Sequence, residues 1–178
     1  MSPPVASFHG RYAPRTEARE FLARVARRVE AGFLMGRPHF RSRYAVTSHS
    51  GDRIAIRSED FWTDFNVGLN DIRLRLAGDG AVEYDVTFRR WLRGSVVLSA
   101  ALGVILVGLY LLPVPDSISI SAQLRRGTPE EQRLNAAVFW GSVVWWGVAW
   151  PWVMALLHRG PAERLLRNIL GEVDAAAR

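Results

Sequence analysis

Gly94–Leu112 reads GSVVLSAALGVILVGLYLL, nineteen positions without a charge, and Ala136–Leu157 reads AAVFWGSVVWWGVAWPWVMALL, twenty-two more. A helix crossing a hydrocarbon core about 30 Å thick needs about 20 such residues. No other stretch qualifies, and a chain of 178 residues has too little else to cover two wholly apolar helices. The sequence therefore predicts two transmembrane helices, over 94–112 and 136–157. Neither is a signal peptide, because the first begins after 93 residues, too deep for an h-region. The leading MSPPVASFHGRYAPR is Pro-rich and polar, so residues 1–15 are expected to form an extended tail.

The flanks set an orientation. Arg89, Arg90 and Arg93 precede the first span, and Arg159, Arg164 and Arg167 follow the second. The connecting loop 113–135 holds Arg125, Arg126 and Arg133 among Asp116, Glu130 and Glu131. The basic excess places both termini in the cytoplasm and the loop in the periplasm, in a bacterial inner membrane. Pro113 and Pro115 stop the first helix. Thr128-Pro129-Glu130-Glu131 supplies an N-cap, a proline at the first helical position and an acid at the third, so the second helix starts at 129. From there to Leu157 is about 44 Å at 1.5 Å per residue, which requires tilt or projection beyond the bilayer.

Ahead of the spans, residues 16–93 read as a cytoplasmic α+β domain. Over 16–35, Ala18, Phe21, Leu22, Val25, Ala26, Val29 and Phe33 share one stripe at helical period, with Arg24, Arg27 and Arg28 opposite. Thr16 is the expected cap, Gly36-Arg37-Pro38 the stop, and packing on a sheet the expected use of the stripe. A β-hairpin is expected over 40–58, turning at His49-Ser50-Gly51-Asp52. A second is expected over 71–89, where Ile72, Leu74 and Leu76 and then Val82, Tyr84, Val86 and Phe88 alternate with charges. Closing the Gly78-Asp79-Gly80 loop sets Arg75 opposite Glu83 and Arg73 opposite Asp85, a register that a one-residue slip would destroy. Between the hairpins, Ser58 is expected to cap a short helix whose Phe61, Trp62 and Phe65 fill the core, or alternatively face the membrane interface. Residues 158–178 are expected to form a short amphipathic cytoplasmic helix starting at Pro161, with Leu165, Leu166, Ile169, Leu170 and Val173 as its stripe. The fold class is thus an α+β membrane protein: an N-terminal helix plus a small antiparallel sheet of two β-hairpins, a two-helix transmembrane hairpin and an amphipathic C-terminal helix.

Composition excludes much chemistry. The 23 cations are all arginine, as in a GC-rich bacterial coding sequence, and cysteine is absent. Lysine Schiff bases, P-loop lysines, thiolate nucleophiles and thiolate metal sites are therefore out. His9, His39, His49 and His158 form no paired ligand motif. Ser48-His49-Ser50-Gly51-Asp52 holds triad residue types, but consecutive turn residues diverge. Glu59, Asp60 and Asp64 are explained by a helix start, and Gly78-Asp79-Gly80 precedes a strand, so it is no phosphate cradle. The spans contain no ionisable group for a proton or ion path. Sixteen arginines and eleven acids precede Gly94, dispersed and without a nucleic-acid-binding signature; anionic lipid headgroups are the expected partner of that excess.

No catalytic residue, metal ligand or cofactor follows, and the chain is expected not to be an enzyme. His158 is the one candidate for cofactor binding, as an axial ligand of a haem or chlorophyll-type metal; a boundary histidine in the headgroup zone is the ordinary alternative. The spans offer packing surfaces instead. Ser95, Ser99 and Gly103, and Ala137 and Gly141, recur at i+4 and allow close helix approach. Trp140, Trp145, Trp146, Trp150 and Trp152 are candidate contacts for a partner, lipid or pigment, and Pro151 is a candidate kink. The expected function is a non-catalytic accessory or structural subunit, packing on other membrane subunits of a large energy-converting complex, photosynthetic or respiratory. The alternative is an independent membrane-anchored binding, regulatory or assembly module.

Overall fold

Alternation at period two builds the sheet. Strand β4 (Asp71–Leu76) and strand β5 (Val82–Thr87) pair antiparallel with Arg75 opposite Glu83 and Arg73 opposite Asp85, the register expected from the sequence. Gly80, at φ 81°, takes the left-handed position of the three-residue loop. Strands β2 (Tyr44–Ser50) and β3 (Arg53–Ser58) form the other hairpin, with a bulge between Val46 and Ser48. The computed structural model describes residues 6–34, 43–112, 115 and 119–176, with Phe65 and Asn66 described by backbone alone. Phe40, the stop at Gly36-Arg37-Pro38, Pro113 and Asp116 lie outside the described residues.

The segment expected as an extended tail contains a strand. Residues Ser7–Tyr12 form strand β1, antiparallel to β5, and the sheet has five strands in the order β1-β5-β4-β3-β2. Two hairpins thus become one antiparallel sheet with a fifth strand at its edge. Gly10 sits against Tyr84, where any Cβ would overlap the phenol ring.

One face of this sheet is dry. Phe8, Ile54, Ile56, Ile72, Leu74, Val82, Tyr84 and Val86 are buried on it. Helix α1 (Ala18–Gly32) covers part of that face with Phe21, Leu22, Val25 and Val29, all buried. Burying such side chains contributes about 1.5–3 kcal/mol each relative to water, and the sheet is what covers this stripe. Its N-cap is Glu17; the Thr16 hydroxyl is buried without a partner and does not cap. The rest of the dry face is covered by the chain's last helix. Ala162, Leu166, Ile169, Leu170 and Val173 are buried there, Arg28 pairs with Glu172 at 3.4 Å, and Asp174 accepts from the Arg15 amide and the Tyr12 hydroxyl.

That last helix is not the short, separate one expected. Helix α5 (Pro129–Val144) passes through a π-helical turn (Trp145–Ala149) into α6 (Trp150–Ala175), 47 residues from Pro129 to Ala175. Pro161 lies inside α6 and starts nothing. Its missing N–H frees the carbonyl of Leu157, a residue 63% exposed, while one unbroken stripe from Ala155 to Val173 stays on the sheet. The burial outweighs a proline cost of about 3 kcal/mol. The π turn lies just ahead of Pro151 and inserts one extra residue into the helix there.

The described chain divides into two compact units. One joins residues 1–92 to 155–178 and contains the sheet, α1, a short helix α2 (Phe61–Val67), the first turn of helix α3 (Arg89–Leu111) and most of α6. The other, residues 93–154, contains the rest of α3, a one-turn helix α4 (Ile120–Leu124), α5 and the π turn. Thr128 and Glu131 close a reciprocal capping box with Pro129 at the first position of α5, as the sequence motif requires. Helix α3 and the helix Pro129–Ala175 are long and apolar enough to cross a membrane, by length and composition.

Candidate functional site

The meander sets what lies where. Strands β3 and β5 end, and β2 and β4 begin, at one end of the sheet. The β3–β4 connection, which is α2, therefore lies at the end where β5 runs into α3 with only Phe88 between them. A buried polar cluster joins these segments. Asn70 accepts from the Trp91 amide at 3.0 Å and donates to Asp64 at 2.7 Å. Ser58 Oγ also donates to Asp64. Arg90 pairs with Asp64 at 3.1 Å and donates to the carbonyls of Ser58 and Asn70, each at 3.1 Å. The first turn of α3 is thereby bolted to the sheet's loops.

This reverses two expectations for α2. Its cap is Asp60, which accepts from the Thr63 amide at 2.8 Å and is held below the usual carboxylate range first by that bond; Ser58 is committed to Asp64 instead. The face that packs inward carries Thr63, Asp64 and Val67, whereas Phe61 and Trp62 are 62% and 70% exposed. They contact each other edge to face, with ring centroids 5.6 Å apart. Burying the Asp64–Arg90 pair takes the inner face, so the aromatic pair is turned out.

His158 lies one residue beyond the apolar stretch 136–157, in the same unit as the sheet. Its ring stacks on Trp91 with centroids 4.6 Å apart and meets Phe88 edge to face at 5.6 Å. Nε2 is buried without a hydrogen-bond partner, against Gly68, where a Cβ would overlap the ring. Gly68 at φ 71° is the left-handed C-cap of α2 and leaves the space that the imidazole fills. Burial lowers the pKa of His158. With Nε2 buried against Gly68 and the ring stacked on Trp91, His158 serves this fold as a packing residue.

Within the other unit, the helices approach closely at glycines. A Cβ on Gly103 would stand 3.1 Å from the Cα of Gly147, and Ser99, one turn earlier, is buried. Ser95 is half-buried. Ala137 and Gly141 are exposed, and Gly141 faces open space, so the second helix does not use that pair at the crossing. The physical reason is antiparallel pairing: Gly103 and Gly147 lie near the midpoints of the two stretches, and midpoints meet. Trp140 packs with Tyr110 and Phe139, and Trp146 with Trp150 at 4.9 Å. Trp140, Trp145, Trp146 and Trp152 each keep about two-fifths or more of their surface exposed, and Trp150 is half-buried.

The open face of the sheet carries charges, not a catalytic set. A cleft of about 790 Å³ there is lined by His9, Arg11, Arg53, Arg73, Glu83 and Asp85, among others. Arg75 pairs with Glu83, Arg57 with Asp71 at 2.8 Å, and Arg11 with Asp79 at 2.7 Å. At the β2–β3 turn Ser50 donates to Asp52 at 2.7 Å, and His49 is exposed. Among the described residues no group of three or more His, Asp or Glu side chains is placed to hold a metal ion. The sequence reading missed Asn70, Gly68 and Gly147 and took Arg90 only as a basic flank; of the three missed, only the glycines carried a signal, as a helix stop and as a span midpoint. The chain matches no known protein family, no curated protein and no solved structure.

Proposed function

We propose that this chain is a two-span protein of a bacterial inner membrane, with both termini cytoplasmic, serving as a non-catalytic accessory subunit of a larger membrane complex. One observation carries the reading: the helices of residues 93–154 leave their large apolar side chains uncovered. Val97, Val104, Leu111, Val138 and Val148 are each more than 60% exposed. In water each would forgo about 1.5–3 kcal/mol of burial; lipid and partner helices recover it. The basic flanks favour the cytoplasmic side for both termini. The sheet unit then sits at the cytoplasmic surface as a brace for neighbouring subunits, and the exposed tryptophans are its contacts within the bilayer. An energy-converting assembly, photosynthetic or respiratory, is the class of complex proposed.

The test is purification from native membranes in mild detergent, followed by native mass spectrometry. Stoichiometric co-purification with such a complex, and loosening of that complex when the gene is deleted, supports the proposal. Recovery alone or at substoichiometric ratio selects the alternative, an independent membrane-anchored regulatory or assembly module.

A further inference from the structure

The geometry points to the exposed Phe61–Trp62 pair as a lipid-contacting foot that inserts the sheet unit into the interfacial zone of the bilayer. The inference rests on the membrane-spanning reading above. It starts from covalent connectivity. Asn70, just past the end of α2, is hydrogen-bonded to the amide of Trp91 at 3.0 Å. Asp64, within α2, pairs with Arg90 at 3.1 Å. Gly94, where the apolar stretch begins, is only three residues beyond Trp91, about 4.5 Å along the helix. Helix α2 is itself only about 10 Å long. Its aromatic pair is therefore held within about 20 Å of the first membrane residue by these bonds and covalent connectivity.

A second attachment lies at the same place. Gly68, the C-cap of α2, is against His158, one residue past the end of the second apolar stretch. The two points at which the chain meets the membrane thus both grip α2. Phe61 and Trp62 are turned away from that grip. An exposed Phe beside an exposed Trp is costly against bulk water and favoured at headgroup level, where an amphipathic ring has one wet and one apolar neighbour. Glu59 and Asp60 precede the pair, so the surface recognised is the amphipathic interface itself and not negative lipid charge.

The absence of cysteine makes the test direct. Single substitutions Trp62→Cys, Val104→Cys and Gly78→Cys in the full chain each give one site for a nitroxide label. Position 62 is exposed, position 104 is exposed within the first apolar stretch, and Gly78 has open space around it. Gly78 also lies at the far end of β5 from α3, about 17–20 Å away. In phosphatidylcholine vesicles, accessibility to molecular oxygen against a water-soluble nickel chelate reports depth. The expected order is 104 deepest, 62 at headgroup level and 78 aqueous. With 104 embedded, a label at 62 as aqueous as one at 78, or shielded from both reagents by protein, overturns the foot and leaves the spans standing. A label at 104 that is itself aqueous overturns the spanning reading and the foot together.

Discussion

Asp64→Ala removes the one carboxylate at the centre of the cluster that joins α2, β4 and α3. Three donors lose their acceptor: Ser58 Oγ, Asn70 Nδ2 and Arg90. They are not equally stranded. Ser58 can turn its proton fully to the Asn70 carbonyl, already 3.1 Å away, so its loss is small. Arg90 keeps two carbonyl partners and has Asp71 at 3.8 Å, and its side chain is 36% exposed, so water makes good much of the ion pair. That leaves about 1–2 kcal/mol from Arg90. Asn70 Nδ2 falls back on a bond of 3.4 Å to the Asp64 carbonyl, in a residue that is fully buried, and a stranded buried donor costs about 1–3 kcal/mol. Together the variant is expected to lose about 2–5 kcal/mol. At roughly 2–4 °C per kcal/mol for a chain of this size, the midpoint falls by about 4–20 °C. Thermal unfolding of the full chain in mild detergent, followed by tryptophan fluorescence, measures it. Asp64→Asn keeps an acceptor and is expected to lose less. Combining Asp64→Ala with Arg90→Met is expected to cost less than the two separately, by at least about 1 kcal/mol. A fall of under about 0.5 kcal/mol for Asp64→Ala, or strict additivity in the cycle, would refute the cluster as a unit.

Burial holds His158 below the ordinary histidine value of 6.5, so on unfolding it takes up a proton that the folded chain refuses. Its contribution to stability is complete above pH 6.5 and is lost as the pH falls through the folded value; His158→Gln is expected to flatten that part of the stability–pH curve, and an unchanged slope would count against the burial argument. Gly103→Leu is expected to cost about 1–3 kcal/mol by wedging against Gly147, while Gly141→Leu, pointing into open space, stays within about 0.5 kcal/mol; equal effects in thermal unfolding would move the crossing elsewhere. Thr128→Ala opens the capping box of α5 and is expected to lose about 1 kcal/mol, read as fraying at the helix start in amide hydrogen exchange.

What could be read from the sequence was what is local. The β4–β5 register follows from six alternating positions on each side of a glycine loop, and no distant residue is needed to fix it. The start of α5 is written in four consecutive residues. Strand β1 was hidden because its apolar alternation, Phe8 and Tyr12, is broken at Gly10, and the reason for that glycine is Tyr84 on β5. The α2 reading failed for a related reason. Aromatic residues outrank Thr63 and Asp64 as core candidates until Arg90, 26 positions later, is known to share their side. Pro161 looked like a helix start because the stripe that carries the helix past it lies on both sides of the proline. The small-residue stripe of the first stretch held the crossing residue Gly103, but the partner glycine could be chosen only by pairing the middles of two antiparallel helices.

The sheet unit is discontinuous in sequence: residues 93–154 are inserted between its first ninety-odd residues and its closing helix. Its dry face is covered in part by Leu166, Ile169, Leu170 and Val173, which are synthesised only after both apolar stretches. During synthesis the five strands and α1 are therefore available early with an uncovered apolar flank, and they must wait while both apolar stretches are laid down before the cover arrives. Completion of the sheet unit is thus tied in time to completion of the helical hairpin. A chain stalled or cut between the two would display sticky surface, the kind of surface that chaperones hold and proteases clear.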